Sequence, residues 1–263
     1  MDAGVFPPGW RIVPASVTGP DHVELGVENQ DAVGYRRLGR GFLLAVADGA
    51  GSSRHAATAA RLAVDAARDA ADLFGSDLAE PAAFARVGRR FADACLGLFD
   101  RRVAALVAAG AGDGVADWAT TLLTVVAQPP LYYYVGVGDA FLVFGRRGGG
   151  AHLVLPPDPD ADAGATVFLT SAARDDVVRQ GLVVDPAVTG VALCTDGLAE
   201  AALTTRREPD GRRRHRAPAD FAGYFAVFAD PGSDAAELGR RLSGPELAVT
   251  SGDDKTMLLA VRR

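Results

Sequence analysis

Residues 43–53, LLAVADGAGSS, end an unbroken apolar run on Asp48 and follow it at once with Gly49, Ala50 and Gly51. A strand that is apolar on both faces must be covered on both sides. A carboxylate at its end is then half-buried, and if ionised it needs a cation or hydrogen-bond donors. Gly49 and Gly51 let the backbone turn sharply and bring its carbonyls close to a ligand. An Asp-Gly step is also an ordinary turn signal, so this stretch alone does not separate a site from a turn.

Recurrence separates them. Apolar runs meet an acid in three further places: YYYVGVGDAFLVF brings Asp139, VALCTDGL brings Asp196, and SGDDKTMLLAV brings Asp253 and Asp254 ahead of the last strand. Asp31, in ENQDAVGY, precedes the first central strand. Carboxylates at the ends of several core strands suit a hard cation, because magnesium and manganese take oxygen ligands.

The 263 residues, 49% hydrophobic and 23% charged, can bury a sizeable core in one large domain or two small ones. A net charge of −6 gives no global attraction to nucleic acid or an anionic membrane. No apolar stretch reaches spanning length, and MDAGVFPPGW lacks a basic and then apolar leader, which points to the cytoplasm. Cys95 and Cys194 lie far apart and read as separate buried thiols.

Residues 1–10 read as a disordered lead to a single domain over 11–263. The patterns predict strands at 11–17, near 32–37, and at 41–47, 119–127, 131–138, 140–146, 166–170, 181–185, 190–195 and 256–263. Pro14 makes the first an edge strand. Helices are expected at 54–74, from Pro81 to Gly110, in a short stretch after Gly197, and at 217–229 and 233–243. Segment 19–32 reads as a polar loop and 156–165 as an acidic surface loop or flap. The basic segment 204–216 reads as a solvated excursion or as a docking patch for an acidic partner. Short links at 128–130 and at Gly138-Asp139 imply antiparallel hairpins, and no Gly-rich phosphate loop follows a strand. A doubly wound nucleotide-binding sheet is thereby excluded.

Taken in order, ENQDA, VADGAG, ATTL, VGVGDA, CTDGL and SGDDKT resemble the motifs of the metal-dependent protein phosphatases of type 2C (the PPM family) over residues 12–262. The start, VTGPDHVELGVENQDA, resembles a bacterial subgroup with Gly, His and Gln-Asp at these positions. The resemblance implies an α+β fold, a four-layer α-β-β-α sandwich of two mainly antiparallel sheets flanked by helices. It implies hydrolysis of phosphoserine and phosphothreonine in proteins by a metal-activated water between two Mg²⁺ or Mn²⁺ ions, with a third, weaker position. Carried over by motif, Asp48 bridges both metals and the Gly49 carbonyl binds one. Asp196 and Asp253 complete the other, Asp31 holds a metal-bound water, and Asp139 joins Asp196 at the third position, which Thr121 borders. Asp48, Asp196 and Asp253 are thus the expected catalytic set. The implied partners are a phosphorylated protein and the serine/threonine kinase it opposes in signalling, with no nucleic acid and no membrane.

The sequence departs from the family in three places. The phosphate-binding Arg five residues before Asp31 is Gly26, the Glu before Asp31 is Gln30, and a His found in some members two residues after the bridging Asp is Ala50. His22, Gln30 and Arg54 are therefore the candidates for contacting phosphate or supplying a proton. Loss of the Arg leaves a second reading, a regulatory binding module that keeps fold and metals without efficient turnover. A third is hydrolysis of a small phosphorylated metabolite.

Overall fold

The computed structural model describes residues 9–75, 78–157, 166–207 and 213–263. Residues 1–8 of the expected lead, and most of the acidic segment 156–165, lie outside them. In chain order the elements are β1 (Trp10–Val17), α1 (Pro20–Leu25), β2 (Asp31–Leu38), β3 (Gly41–Asp48), α2 (Ala56–Ala70) and α3 (Pro81–Ala108). Then follow β4 (Leu122–Gln128), β5 (Leu131–Val137), β6 (Phe141–Arg146), β7 (Ala151–Leu155), α4 (Arg174–Val177), β8 (Arg179–Val184) and β9 (Val188–Cys194). The chain closes with α5 (Ala199–Ala202), β10 (Thr204–Arg207), β11 (Arg213–Arg216), α6 (Ala222–Ala229), α7 (Ala235–Leu242), α8 (Pro245–Ala248) and β12 (Lys255–Arg262).

The strands form two five-stranded antiparallel sheets, ordered β1-β12-β9-β6-β7 and β2-β3-β4-β5-β8, and a separate β10-β11 hairpin. Alternation along β3 shows how they stack. Phe42, Leu44 and Val46 face the other sheet and meet Leu142, Leu193 and Leu258 there, while Leu43, Ala45 and Ala47 face α2 and α3. On the second sheet Phe141, Val143, Leu259 and Val261 face outward under α6 and α7. This is the α-β-β-α sandwich, and both central strand sets are apolar on both faces because both are covered.

Small residues set the spacing of the outer layers. The buried face of α2 is Ala56, Ala59, Ala60, Ala63, Ala66, Ala67 and Ala70, a helical repeat of alanines that brings the helix close to β2 and β3. Helix α3 starts on Pro81, a residue that suits the first helical position. It buries Phe84, Gly88, Phe91, Ala92, Cys95 and Phe99, and each buried ring contributes roughly 1.5–3 kcal/mol. Cys95 and Cys194 are both buried and free.

Several local expectations change. Trp10, placed in the lead, is buried and opens β1. Within 19–32 the chain forms α1, which buries none of its residues and so carries no apolar periodicity to read. TVFLT (166–170) is not a strand: Phe168 N donates to Ser171 Oγ (3.0 Å), Ser171 N donates to Phe168 O (3.0 Å), and these bonds curl the segment into a turn. Strand β7 and helix α8 were not expected. The basic segment 204–216 is the hairpin β10-β11 rather than a loop. Most consequential is Gly138-Asp139. Strands β5 and β6 do not pair; the link carries the chain from one sheet to the other, with Gly138 at φ +98°. Asp139 therefore sits where the two sheets part.

Two glycines of α3 give opposite expectations. A Cβ on Gly88 would lie 2.4 Å from the Tyr133 ring, so Gly88→Ala is expected to destabilise by about 1–3 kcal/mol. A Cβ on Gly97 meets only the flexible end of Arg101 at 3.2 Å, so Gly97→Ala is expected to stabilise by about 0.5–1 kcal/mol. Urea unfolding midpoints check both; equal effects would contradict this packing.

Candidate metal centre

The inter-sheet face of β3 reads Phe42, Leu44, Val46 and then Asp48, so the strand's own alternation aims Asp48 into the gap between the sheets. Register places Asp31, the first residue of β2, directly opposite Asp48. Directly opposed residues share a face, so both carboxylates project the same way. From the other sheet, β9 runs into Thr195 and Asp196, and Asp253 and Asp254 precede β12. Asp139 enters from the crossing between the sheets.

Threonines and backbone amides fix this end of the sandwich. Thr121 N donates to Asp48 O (2.8 Å), Asp48 N to Thr121 Oγ1 (3.0 Å), and Thr120 Oγ1 to Asp48 O (2.8 Å). Gly49 N donates to Gln30 O (3.1 Å). A Cβ on Gly49 would lie 2.3 Å from Ala56 O, so only glycine lets the turn after Asp48 pass under α2. Thr195 Oγ1 donates to Asp31 Oδ2 (2.9 Å), and Thr166 Oγ1 to Asp139 Oδ2 (2.7 Å).

The result is a cleft of about 530 Å³ lined by His22, Gln30, Asp48, Gly49, Ala50, Asp139, Asp196 and Asp253, with Thr121, Thr166 and Phe168. Carboxylate oxygens of Asp48, Asp139 and Asp196 lie within 4.8 Å of one another, and ligand atoms of His22, Asp253 and Asp254 form a second such group. Arg54 does not line the cleft. Its side chain is largely exposed, with Nη1 3.7 Å from Asp113 Oδ2. Gly26 is the C-cap of α1 at φ +66°, with open space around it. The position where the family carries its Arg is here a left-handed turn that ends a helix.

Two residues gain a role that the sequence did not assign: Asp254, read only as one of the strand-end acids, and Lys255. Asp254 is 2% exposed and clamps the N-terminal segment: it accepts from Gly19 N (2.8 Å) and Gln30 N (2.6 Å), and His22 Nδ1 lies 2.9 Å from its Oδ2. Lys255 is buried and donates to the carbonyls of Ser251 (2.7 Å) and Asp253 (2.9 Å), which ties down the loop carrying Asp253. The doubled acid followed by Lys in SGDDKT was the available signal, since a buried lysine at the start of a strand needs acceptors.

The site suits divalent cations. Burial, and then repulsion from Asp254 and Asp196, outweighs the threonine hydrogen bonds and pushes the Asp31 carboxyl up to about 8. Burial, with repulsion from Asp139 and Asp253, pushes Asp196 to about 6. Asp48 is raised well above the usual range by burial and by Asp31, Asp196, Asp253 and Asp139. Asp31 Oδ1 and Asp196 Oδ1 are buried without a hydrogen-bond partner. No lysine or arginine lines the cleft among the described residues. Oxygen donors lining a cleft that no lysine or arginine enters among the described residues match magnesium or manganese.

The pH dependence follows with a definite sign. Between the ordinary carboxylate value of 3.8 and about 8, native Asp31 holds a proton that the unfolded chain has lost. Metal-free stability is therefore greatest at low pH within this window and falls as pH rises towards 8, with Asp196 adding in the same sense up to about 6. The metal-free melting temperature should drop from about pH 5 to pH 8, and the gain on adding Mn²⁺ should grow over the same range. Asp48→Asn, which removes repulsion, should raise the metal-free value at pH 7.5 and shrink the Mn²⁺ gain. Calorimetric scans check this; a metal-free value rising between pH 5 and 8 would contradict it.

Residues 18–242 match the model of the family described as protein phosphatase 2C. Solved structures with the same fold include a bacterial serine phosphatase at 15% identity, TM-score 0.63, covering 96% of this chain and 98% of that one. A serine/threonine phosphatase of Staphylococcus aureus aligns at 14% identity, TM-score 0.63, covering 100% and 98%. The catalytic domain of the serine/threonine protein phosphatase PstP, solved with two manganese ions, aligns at 19% identity, TM-score 0.62, covering 96% and 97%. None of the curated protein sequences matches the chain. None of the described helices is long and apolar enough to cross a membrane. With the motifs in order, the sandwich formed and the carboxylates gathered at one end of it, the chain belongs to the protein phosphatase 2C family of Mg²⁺/Mn²⁺-dependent serine/threonine protein phosphatases.

Proposed function

We propose that this chain, as a single domain, hydrolyses phosphoserine and phosphothreonine esters of proteins at the carboxylate cleft. The observation that carries the reading is the convergence of Asp48 from one sheet, Asp196 and Asp253 from the other, and Asp139 from their crossing on one open cleft that no lysine or arginine lines among the described residues, with Asp31 buried behind it opposite Asp48. Asp48, the Gly49 carbonyl, Asp196 and Asp253 would hold two Mg²⁺ or Mn²⁺ ions, Asp31 would support them, and Asp139 with Asp196 would hold a third. Such ions supply Lewis-acid stabilisation of phosphoryl oxygens and acidify bound water.

The chain's own residues account for the rest. The threonine and amide bonds around Asp48 and Asp31 hold the ligand carboxylates at fixed separation despite their repulsion. Gln30 lines the cleft with an amide where the family has a carboxylate, so it orients a ligand without adding negative charge. His22 takes the place at the cleft rim that Arg54 does not reach. Its Nδ1 faces Asp254, itself fixed by two backbone amides, and this holds the ring against the cleft wall. We assign His22 to the phosphate or to the departing serine or threonine oxygen. The kinase opposed and a cytoplasmic location belong to this same reading.

Turnover of p-nitrophenyl phosphate and of a phosphothreonine peptide, each with and without Mn²⁺, tests the proposal. Asp48→Asn, Asp196→Asn and Asp253→Asn should each lower kcat/KM on the order of a hundredfold or more. His22→Ala separates its two roles. A proton donor would matter far more for the alkoxide of the peptide than for nitrophenolate, by about 10²-fold or more in kcat. A phosphate contact would raise KM for both substrates. Gly26→Arg would not cleanly restore the family arginine, because a side chain at φ +66° costs about 1–2 kcal/mol. Mn²⁺ binding without turnover of either substrate would replace the enzyme by the binding module.

A further inference from the structure

The β10-β11 hairpin has an unusual composition. Its eight paired residues are Thr204, Thr205, Arg206, Arg207, Arg213, Arg214, His215 and Arg216, with five arginines and no acid. The whole chain carries −6, so without these five charges it would carry −11. The register pairs Thr204 with Arg216 and Arg206 with Arg214. Opposed residues, and residues two apart on a strand, share a face. One face therefore presents Arg206, Arg214 and Arg216 together, and all three are exposed. The other face carries Thr205 and His215, joined Oγ1 to Nδ1 at 3.0 Å.

Folding does not explain Arg206 and Arg216 on that face. Like charges directly opposite one another destabilise a strand pair, and a two-stranded ribbon is marginal on its own in water. Arg206 and Arg216 make no ion pair among the described residues. The arrangement does match a ligand. Arginines two apart along β11 are spaced by about 6.6–7 Å, the same repeat as alternate side chains of an extended peptide. Position matters as well. Thr204 follows the cleft residue Asp196 by eight residues, a span of at most about 28 Å. An extended peptide of at most about eight residues covers that span, so one substrate chain can reach both places. An overall negative enzyme repels acidic substrates, and a local arginine face reverses this where it is needed. The face carries no aromatic residue on which bases could stack, which disfavours single-stranded nucleic acid.

We propose that the face bearing Arg206, Arg214 and Arg216 docks an extended Asp/Glu-rich flank of the protein substrate, whose acids alternate and lie within roughly eight residues of the phosphorylated residue. This rests on the phosphatase reading, and the test keeps the two apart. The full chain with Mn²⁺ is assayed on two phosphothreonine peptides of equal length, one with Glu and one with Ser at alternate flanking positions. The Glu peptide should show a KM about five- to tenfold lower at low salt, and 0.5 M NaCl should erase the advantage. Arg206→Glu/Arg216→Glu should abolish the preference while leaving the melting temperature and the kinetics on the Ser peptide and p-nitrophenyl phosphate unchanged. Arg206→Lys/Arg216→Lys should keep most of it. Equal KM values in wild type, or a preference that survives the double Glu exchange, would overturn the proposal. So would tighter binding of an oligonucleotide of equal charge than of the Glu peptide. A competing occupant is the chain's own acidic stretch, Asp158, Asp160 and Asp162. If exchanging those three for Ser, rather than exchanging the arginines, changed the KM for the Glu peptide, substrate docking would fall. Fluorescence anisotropy of the Glu peptide on the wild type and the Glu variant reads docking without turnover, so an inactive enzyme still decides the question.

Discussion

Like charges that must be held together govern this molecule. Asp48 is surrounded by Asp31, Asp139, Asp196 and Asp253. At separations near 5 Å and an effective dielectric of about 20, each ionised pair repels by on the order of 3 kcal/mol. Loops alone would splay under that force. The sandwich resists because each acid is anchored where a strand begins, ends or crosses, and the strands are held by the apolar layer between the sheets. The site is a continuation of that layer: the inward alternation Phe42, Leu44, Val46 passes into Asp48 with no change of geometry, only of chemistry.

Between the dry core and the charged mouth lies a belt of hydroxyls. Thr120, Thr121, Thr195 and Thr256 are all buried, and they hydrogen-bond to strand ends, to Asp31 or to one another's backbone. A threonine keeps the β-branched shape that suits a strand and offers a donor that a valine lacks. Through Thr195 the belt satisfies one oxygen of Asp31, while Oδ1 of Asp31 and of Asp196 stays without a hydrogen-bond partner, which a cation would answer. Lys255 works differently. Its ammonium donates to backbone carbonyls and so shapes the Asp253 loop, while its charge also acts on Asp253, Asp254 and Asp31.

What the sequence made legible were the features written as periodicity. The double-faced strands, the alanine face of α2 and the acids at strand ends each follow from repeats of two or of 3.6 residues. Features settled by tertiary contact were not legible. The Gly138-Asp139 link is short enough for a hairpin, and only the stacking of two sheets makes it a crossing. TVFLT has strand composition, yet Ser171 bends it. Helix α1 buries nothing; Pro20 and Gly26 bound it, and Asp254 holds its start through Gly19 N. The hairpin strands hold no apolar residue, so hydrophobic pattern could not find them. Of the site candidates, Asp48 and Asp31 could be derived from strand logic, whereas the separation of Arg54 from the cleft depends on how the α2 entry turns.

Helix α1 also explains how the chain departs from its family. In the family the residue five positions before the Asp matching Asp31 is the phosphate-binding Arg. Here that residue, Gly26, is used to stop a helix, and the turn gained sends His22 to the cleft instead. The exchange replaces a forked guanidinium by a compact imidazole whose Nδ1 lies 2.9 Å from Asp254 Oδ2. With no guanidinium lining the cleft among the described residues, the phosphate must be recognised chiefly by the cations that the carboxylates would hold, and the rest of the substrate must supply selectivity from farther away. A cleft lined by carboxylates and a positive face on the β10-β11 hairpin are two halves of one electrostatic arrangement. The first concentrates divalent cations; the second compensates for the repulsion that an acidic protein imposes on an acidic substrate.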